Sequence, residues 1–352
     1  MDSLSLDAVK VILPATIAFL VGIFMAPTLT RFMYKHKLWR CYSRHDSTDS
    51  TFKAHVNEEH ETHTPRLGGL IVWLSVFGTV ALIFLLFVLF PNDVTAKLEF
   101  LSRNQTFIPL ATLLVGSLLG LVDDLLQIFP PAVLRGDPIG FRWVKAITIV
   151  ILATIVGWWL YSKLGMVSIH VPFDGIFMIG ALFIPFFVII TLAVFSTSVI
   201  DGVDGLSGGV LATIFAAFAI IALWQNKIDL AAFCAVVSGS TLAFLWFNIP
   251  PARFYMGETG MMGLTLTLST VAFLTDTVLL LPLIAFPLFI TTLSDIIQML
   301  SKKWRKGKRV FIVAPLHHHF EAIGWSRERI TMRYWIITVV TAGLGTVVAI
   351  IS

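Results

Sequence analysis

The chain has 352 residues, 57% of them hydrophobic and only 13% charged, with a formal charge of +4 and a mean hydropathy of +0.87. Water-soluble domains carry about 25% charged residues, so this composition excludes an ordinary soluble globule. The small positive charge follows the basic loops of a membrane protein and does not argue for nucleic-acid binding.

Roughly 20 apolar residues span a bilayer as a helix. In chain order the sequence predicts ten such segments, near residues 11–33, 67–90, 107–122, 144–161, 176–199, 207–224, 229–247, 260–275, 278–300 and 334–351. All but five of the 25 Lys and Arg (the exceptions are Lys10, Lys97, Arg103, Lys163 and Lys227) fall in the loops on one side. Cytoplasmic loops carry such an excess, so those loops face the cytoplasm and, with ten spans, both termini face out. The first apolar run is long enough to stay as an anchor, and no cleavable signal is visible. One all-α integral membrane domain over residues 1–352 is expected. The loops opposite the basic ones read as short and chemically plain. Cys41, in a cytoplasmic loop, and Cys234, in the seventh span, give no disulfide framework.

Ionisable groups in membrane proteins mark interfaces or wet functional cavities, and here they cluster at the cytoplasmic span ends. Asp123-Asp124 closes the third span. Adjacent carboxylates repel unless a cation or proton intervenes, and Mg²⁺ prefers a few carboxylates plus phosphate oxygens. A solvated helix end is the plain alternative. Asp201-Gly202-Val203-Asp204-Gly205-Leu206 is a tight acidic turn, and Gly208-Gly209 beyond it offer backbone N–H groups to a phosphate. A simple interhelical turn is the competing reading. Asn248 precedes a loop with Tyr255, a face on which a planar base can stack, and Glu258, a further carboxylate. Pro315 and Gly324 bracket His317-His318-His319 as breakers. Three successive histidines cannot all face one ion, and zinc lacks its four spaced ligands. Contacts from one or two of them to substrate phosphate fit better. The basic run Lys302 to Arg309 reads most simply as an anchor to anionic lipid.

The strings Lys306-Gly307-Lys308-Arg309-Val310-Phe311, Ala314 to Glu321 with its three histidines, Gly324-Trp325 and Arg333 to Ile337 resemble the phospho-N-acetylmuramoyl-pentapeptide transferases. These belong to the polyprenyl-phosphate N-acetylhexosamine-1-phosphate transferases. The other family blocks follow in order at Pro65 to Gly69, Gly120 to Asp124, Asp201 to Leu206 and Phe247 to Gly260. The resemblance implies about ten transmembrane helices, a cytoplasmic-face active site in the bacterial inner membrane, Mg²⁺ dependence and usually a homodimer. It implies transfer of phospho-MurNAc-pentapeptide from UDP-MurNAc-pentapeptide to undecaprenyl phosphate, giving lipid I and UMP for peptidoglycan synthesis.

Carried onto this sequence, the resemblance puts Asp123, Asp124, Asp204, Lys145, His317, His318 and His319 in catalysis. Asp201, Gly202, Ser198, Asn248 and Tyr255 bind substrate, and Glu258 with Asp124 or Asp204 holds the metal. Departures from the family pattern are Phe195 and Ser198 where an Asn-x-x-Asn pair is usual, Glu258 for an Asp, and Gln127 for a Lys. Pro65-Arg66 is closer to the N-acetylhexosamine branch, which makes transfer of GlcNAc-1-phosphate or another aminosugar phosphate the main alternative. A cation transporter would place its acids near the bilayer midplane, whereas these lie at one surface. The retained Asp, Glu and His sets speak against a silent paralogue.

Overall fold

The computed structural model describes residues 3–39, 64–92, 95, 98–102, 105–129 and 138–352, without the side chains of 3–6 and 138–142. Cys41 and most of the polar loop expected between the first two spans lie outside the described residues. So do Lys97, Arg103 and Arg135.

The helices are α1 (Ser3–Lys35), α2 (Gly69–Leu89), α3 (Phe107–Ile128), α4 (Pro138–Leu164), α5 (Phe183–Ser196), α6 (Leu206–Trp224) and α7 (Ile228–Asn248). They continue with α8 (Gly257–Leu274), the short α9 (Leu281–Ile284), α10 (Phe286–Trp304), α11 (Leu316–Ala322) and α12 (Arg327–Ile351). Among the described residues, eight helices are long and apolar enough to cross a bilayer, or nine if the bent pair around Ala285 is one span. The chain is thus a multi-pass helical membrane protein.

The all-α class agrees with the helices, and three finer expectations are corrected. Between α4 and α5, β1 (Ser168–Val171) and β2 (Gly175–Met178) form an antiparallel hairpin pairing Ser168 with Met178. The segment expected as a span from 176 therefore begins in a strand. That hairpin leaves Phe173, Ile176, Phe177 and Met178 exposed, so this connection is not chemically plain. Finally, the apolar run 278–300 is not one straight helix but bends by 85° between Ile284 and Phe286, where Pro287 opens the second arm.

The eighth predicted segment, α8, is a helix but falls short of the others in apolarity. Its 18 residues reach about 27 Å, and every one except Glu258 is buried. Thr265, Thr267, Ser269 and Thr270 donate to carbonyls four residues back, at 2.7–3.1 Å. Their hydroxyls are thereby satisfied within the helix, as a water-poor setting requires. Small residues Gly116 and Gly120 of α3 and Gly263 of α8 line the seam between these two helices, a device that lets spans approach closely.

Around α8 the packing is layered. It touches α3, α5 and α2, while α7 packs on α1, α2 and α6, and α12 covers α6. The ends of these helices away from Asp123 are tied by polar contacts. Lys10 pairs with Asp229 at 2.6 Å, Lys227 Nζ donates to the Leu274 carbonyl at 2.6 Å, and Gln225 Nε2 donates to the Thr275 carbonyl at 2.8 Å.

Candidate active site

At the opposite helix ends lies a cavity of about 230 Å³ lined by Arg66, Ser198, Asp201, Gly202, Glu258, Asp295 and His318, among others. Its floor is the first turn of α8, whose N–H groups have no partner within the helix. Two side chains from elsewhere in the chain supply acceptors. Asp201 Oδ2 takes the Gly257 N–H at 3.2 Å, while Asp124 takes the N–H groups of Glu258 at 3.1 Å and Thr259 at 2.8 Å. Negative charge is favourable at a helix N-terminus, so this start is fixed by tertiary capping. Gly257 sits at φ +69°, and a Cβ there would strike the Arg66 carbonyl and come within 2.7 Å of Asp124 Oδ2. Only glycine fits at that turn.

Capping leaves Glu258 pointing outward. Its Oε1 lies 2.6 Å from Lys145 Nζ, which also reaches Asp123 Oδ2 at 3.2 Å. Gln127 Nε2 donates to the same Asp123 oxygen at 2.6 Å. One ammonium thus bridges carboxylates from α3 and α8. Glu258 Oε2 is buried without a hydrogen-bond partner among the described residues, and so is Arg66 Nε. Burial pushes the Asp201 carboxyl above its ordinary value, opposed by the Ser207 hydroxyl at 2.8 Å, the Arg66 charge and the Gly257 N–H.

The histidines divide by role. Helix α11 starts at Leu316, immediately after Pro315, and buries His317 and His318 with their rings 4.3 Å apart. Both meet the acidic turn, where a Cβ at Gly202 would lie 2.7 Å from His317 Nε2 and 3.1 Å from His318 Nε2. His318 lines the cavity. His319 points away, accepting the Ile312 N–H at Nδ1 and packing edge-on to Phe311. Upstream, Gln298 pins this arm by accepting the N–H groups of Val310 and Phe311 at 3.0 and 3.1 Å and donating to the Phe311 carbonyl at 2.8 Å.

Several predicted site residues lie elsewhere. Asp204 is buried, with Oδ2 accepting the Ala252 N–H at 3.1 Å and its carbonyl accepting the Thr331 hydroxyl at 2.9 Å. Asn248 accepts the Gly205 N–H at 3.0 Å and donates to the Phe254 carbonyl at 2.8 Å. Both side chains hold the walls together and neither lines the cavity. Tyr255 is half-buried and also off the cavity lining. Gly208 and Gly209 are buried against Phe244 and Trp335, and the Gly209 N–H is taken by the Gly205 carbonyl at 3.3 Å. Among the described residues no three His, Cys, Asp or Glu side chains converge as a metal cage. Of the two carboxylates expected beside Glu258, Asp124 accepts from the Glu258 and Thr259 backbone with both oxygens, and Asp204 lies off the cavity lining.

Comparison with known proteins bears on this geometry. Residues 106–276, which run from α3 to the end of α8, match the family model described as glycosyl transferase family 4. The phospho-N-acetylmuramoyl-pentapeptide-transferase of Geobacillus sp. is 31% identical over 338 residues, covering 95% of this chain and 96% of the relative. Its namesake from Clostridium perfringens is 33% identical over 339 residues, with 94% and 96% covered. The chain belongs to the phospho-N-acetylmuramoyl-pentapeptide-transferase family. A Chloroflexus aurantiacus relative of the same name, 30% identical over 357 residues, extends the match to 98% of the chain.

Within this transferase, two ionisable cavity residues escaped the sequence reading. Arg66 stood out there only as a branch marker, and Asp295 not at all. Asp295 lies in an otherwise apolar stretch, and an ionisable residue in such a place is itself a signal of function.

Proposed function

We propose that this transferase moves phospho-MurNAc-pentapeptide from UDP-MurNAc-pentapeptide to undecaprenyl phosphate, releasing UMP and forming lipid I on the cytoplasmic face of a bacterial inner membrane. The observation that carries the reading is the meeting of Arg66, Asp201, Glu258 and His318 in one cavity at the ends of the spans. A nucleotide arriving through water and a phosphate carried on a membrane lipid can meet at such an end. A homodimer is the assembly we expect.

Mg²⁺ takes one or two carboxylates and completes its shell with water and substrate phosphate oxygens, so a three-residue cage is not required. Glu258 suits that role, because its buried Oε2 has no partner among the described residues, and Asp123 joins it as a second carboxylate through their shared lysine. Bound there, the ion would neutralise the diphosphate and stabilise the departing UMP.

The protein's own groups do the positioning on which phosphoryl transfer depends. Arg66 presents a planar fork of donors matched to phosphate oxygens. Lys145 keeps the Asp123 and Glu258 carboxylates from repelling each other. Asp123 orients the lipid phosphate, whose second pKa near 6 leaves its oxygen ionised at neutral pH. That oxygen attacks the sugar-linked phosphorus, and the bond from that phosphorus to the UMP oxygen breaks. Ser198 and the Asp201-Gly202 turn face the nucleotide, and His318 faces the sugar-peptide.

Purified protein in detergent, given undecaprenyl phosphate and Mg²⁺, should release UMP from UDP-MurNAc-pentapeptide and little from UDP-GlcNAc. The reverse preference would overturn the muramoyl assignment. It would favour transfer of GlcNAc-1-phosphate or another aminosugar phosphate, a reading to which Arg66 in the cavity lends some weight.

A further inference from the structure

His318 is the ring that faces the cavity, and its orientation is set from behind. Its Nδ1 meets Glu321 Oε2 one helical turn along α11, and Glu321 Oε1 takes the Arg327 Nε–H at 2.8 Å. Glu321 is 10% exposed and Arg327 29%. Arg327 opens α12, so this chain of contacts joins the start of one span to the cavity wall.

Both neighbours of the Glu321 carboxylate reach it through nitrogen, and an ionised carboxylate only accepts. The His318 proton therefore resides on Nδ1. That leaves Nε2, the nitrogen beside Gly202, as the ring atom offered to substrate. We infer that Glu321 and Arg327 are positioning residues that fix the His318 tautomer and aim Nε2 into the cavity. Neither touches the reacting atoms. The role rests on the transferase reading of the cavity, whereas the tautomer itself can be measured without substrate. Asp295 of α10 also acts on His318 electrostatically, from the cavity side, and His317 lies against its face.

A Gln at position 321 has one carbonyl acceptor and one amide donor, so it cannot serve His318 Nδ1–H and Arg327 Nε–H together. The test is nitrogen-15 NMR of histidine-labelled full-length protein in detergent, alongside steady-state kinetics. The parent His318 should show a protonated Nδ1 and a bare Nε2 at pH 8. In Glu321→Gln the ring should populate both tautomers, with kcat down about ten- to a hundredfold, the worth of a hydrogen bond to a charged group. UMP affinity should hold within about twofold, inside the few-tenths error of such comparisons. Arg327→Gln should cost less, and the double variant no more than Glu321→Gln alone, as expected of residues acting through one another. An unchanged tautomer in Glu321→Gln, or an Nε2-protonated parent, would overturn the inference. Full activity in His318→Ala with the tautomer as stated would instead sink the assignment of the cavity.

Discussion

Glu258 is the residue on which the site turns, because capping by Asp124 and Asp201 leaves its side chain free while fixing its backbone. Its carboxylate shares Lys145 with Asp123, so the three form one electrostatic unit. Glu258→Ala is expected to lower UMP release by roughly 10²-fold or more, and adding Asp123→Ala should cost far less than a second such factor. Near-parental turnover in Glu258→Ala would remove it from the proposed metal site. Glu321 makes a different prediction, read as stability. Burial alone would raise its carboxyl, but the His318 ring and the Arg327 guanidinium hold it below the usual carboxylate range. A depressed folded value adds stability above the unfolded pKa, near 4.3, and that stability is lost as pH falls through the folded value. Glu321→Gln should therefore melt below the parent at neutral pH, with the gap closing below about pH 4. A gap of constant size in detergent melts across that range would refute the pairing. The residue types at the site were legible in the sequence, since acids and histidines in so apolar a chain announce themselves. Their division of labour was not. Nothing in the string separates Asp123, which meets a lysine, from Asp124, which spends both oxygens on another helix's backbone.

At the scale of elements, α8 shows why one predicted span is less apolar than the rest. It is sheathed by protein, so Thr, Ser and Gly are tolerated where lipid-facing helices carry Leu, Ile and Phe. Its start depends on acceptors from distant parts of the chain. Asp124→Asn keeps one acceptor but turns an amide donor toward the second N–H, and a lost helix cap typically costs about 1 kcal/mol. A clear drop in melting temperature, larger than for Asp123→Asn, is expected. Equal melting of the two variants would argue that the cap contributes nothing. The long apolar helices were legible from run length alone. The hairpin 168–178 and the bend at Ala285 were not, because apolar strands, bent helices and straight spans draw on the same residues. Pro282 and Pro287 flank the bend, but a proline within a span is compatible with a continuous helix too. The placement of Asp204 and Asn248 was not legible for a related reason, since a buried carboxylate or amide tying two loops has the same sequence signature as one awaiting a ligand.

For the whole molecule, the charge distribution sets an orientation that reporter fusions can check. A fusion after Gly165 and one at the C-terminus should report the outer side, and an insertion at Pro315 the cytoplasm. A cytoplasmic C-terminus would contradict the ten-span reading and part the histidine arm from the carboxylates. The clamp formed by Lys10–Asp229, Lys227 and Gln225 bears on what such a molecule can do. It fastens the far ends of α1, α6, α7 and α8, while the cavity lies at the opposite end of the bundle. Under the proposed function, nucleotide and lipid phosphate are handled at the cavity face, and the clamped ends hold the frame on which that face is built.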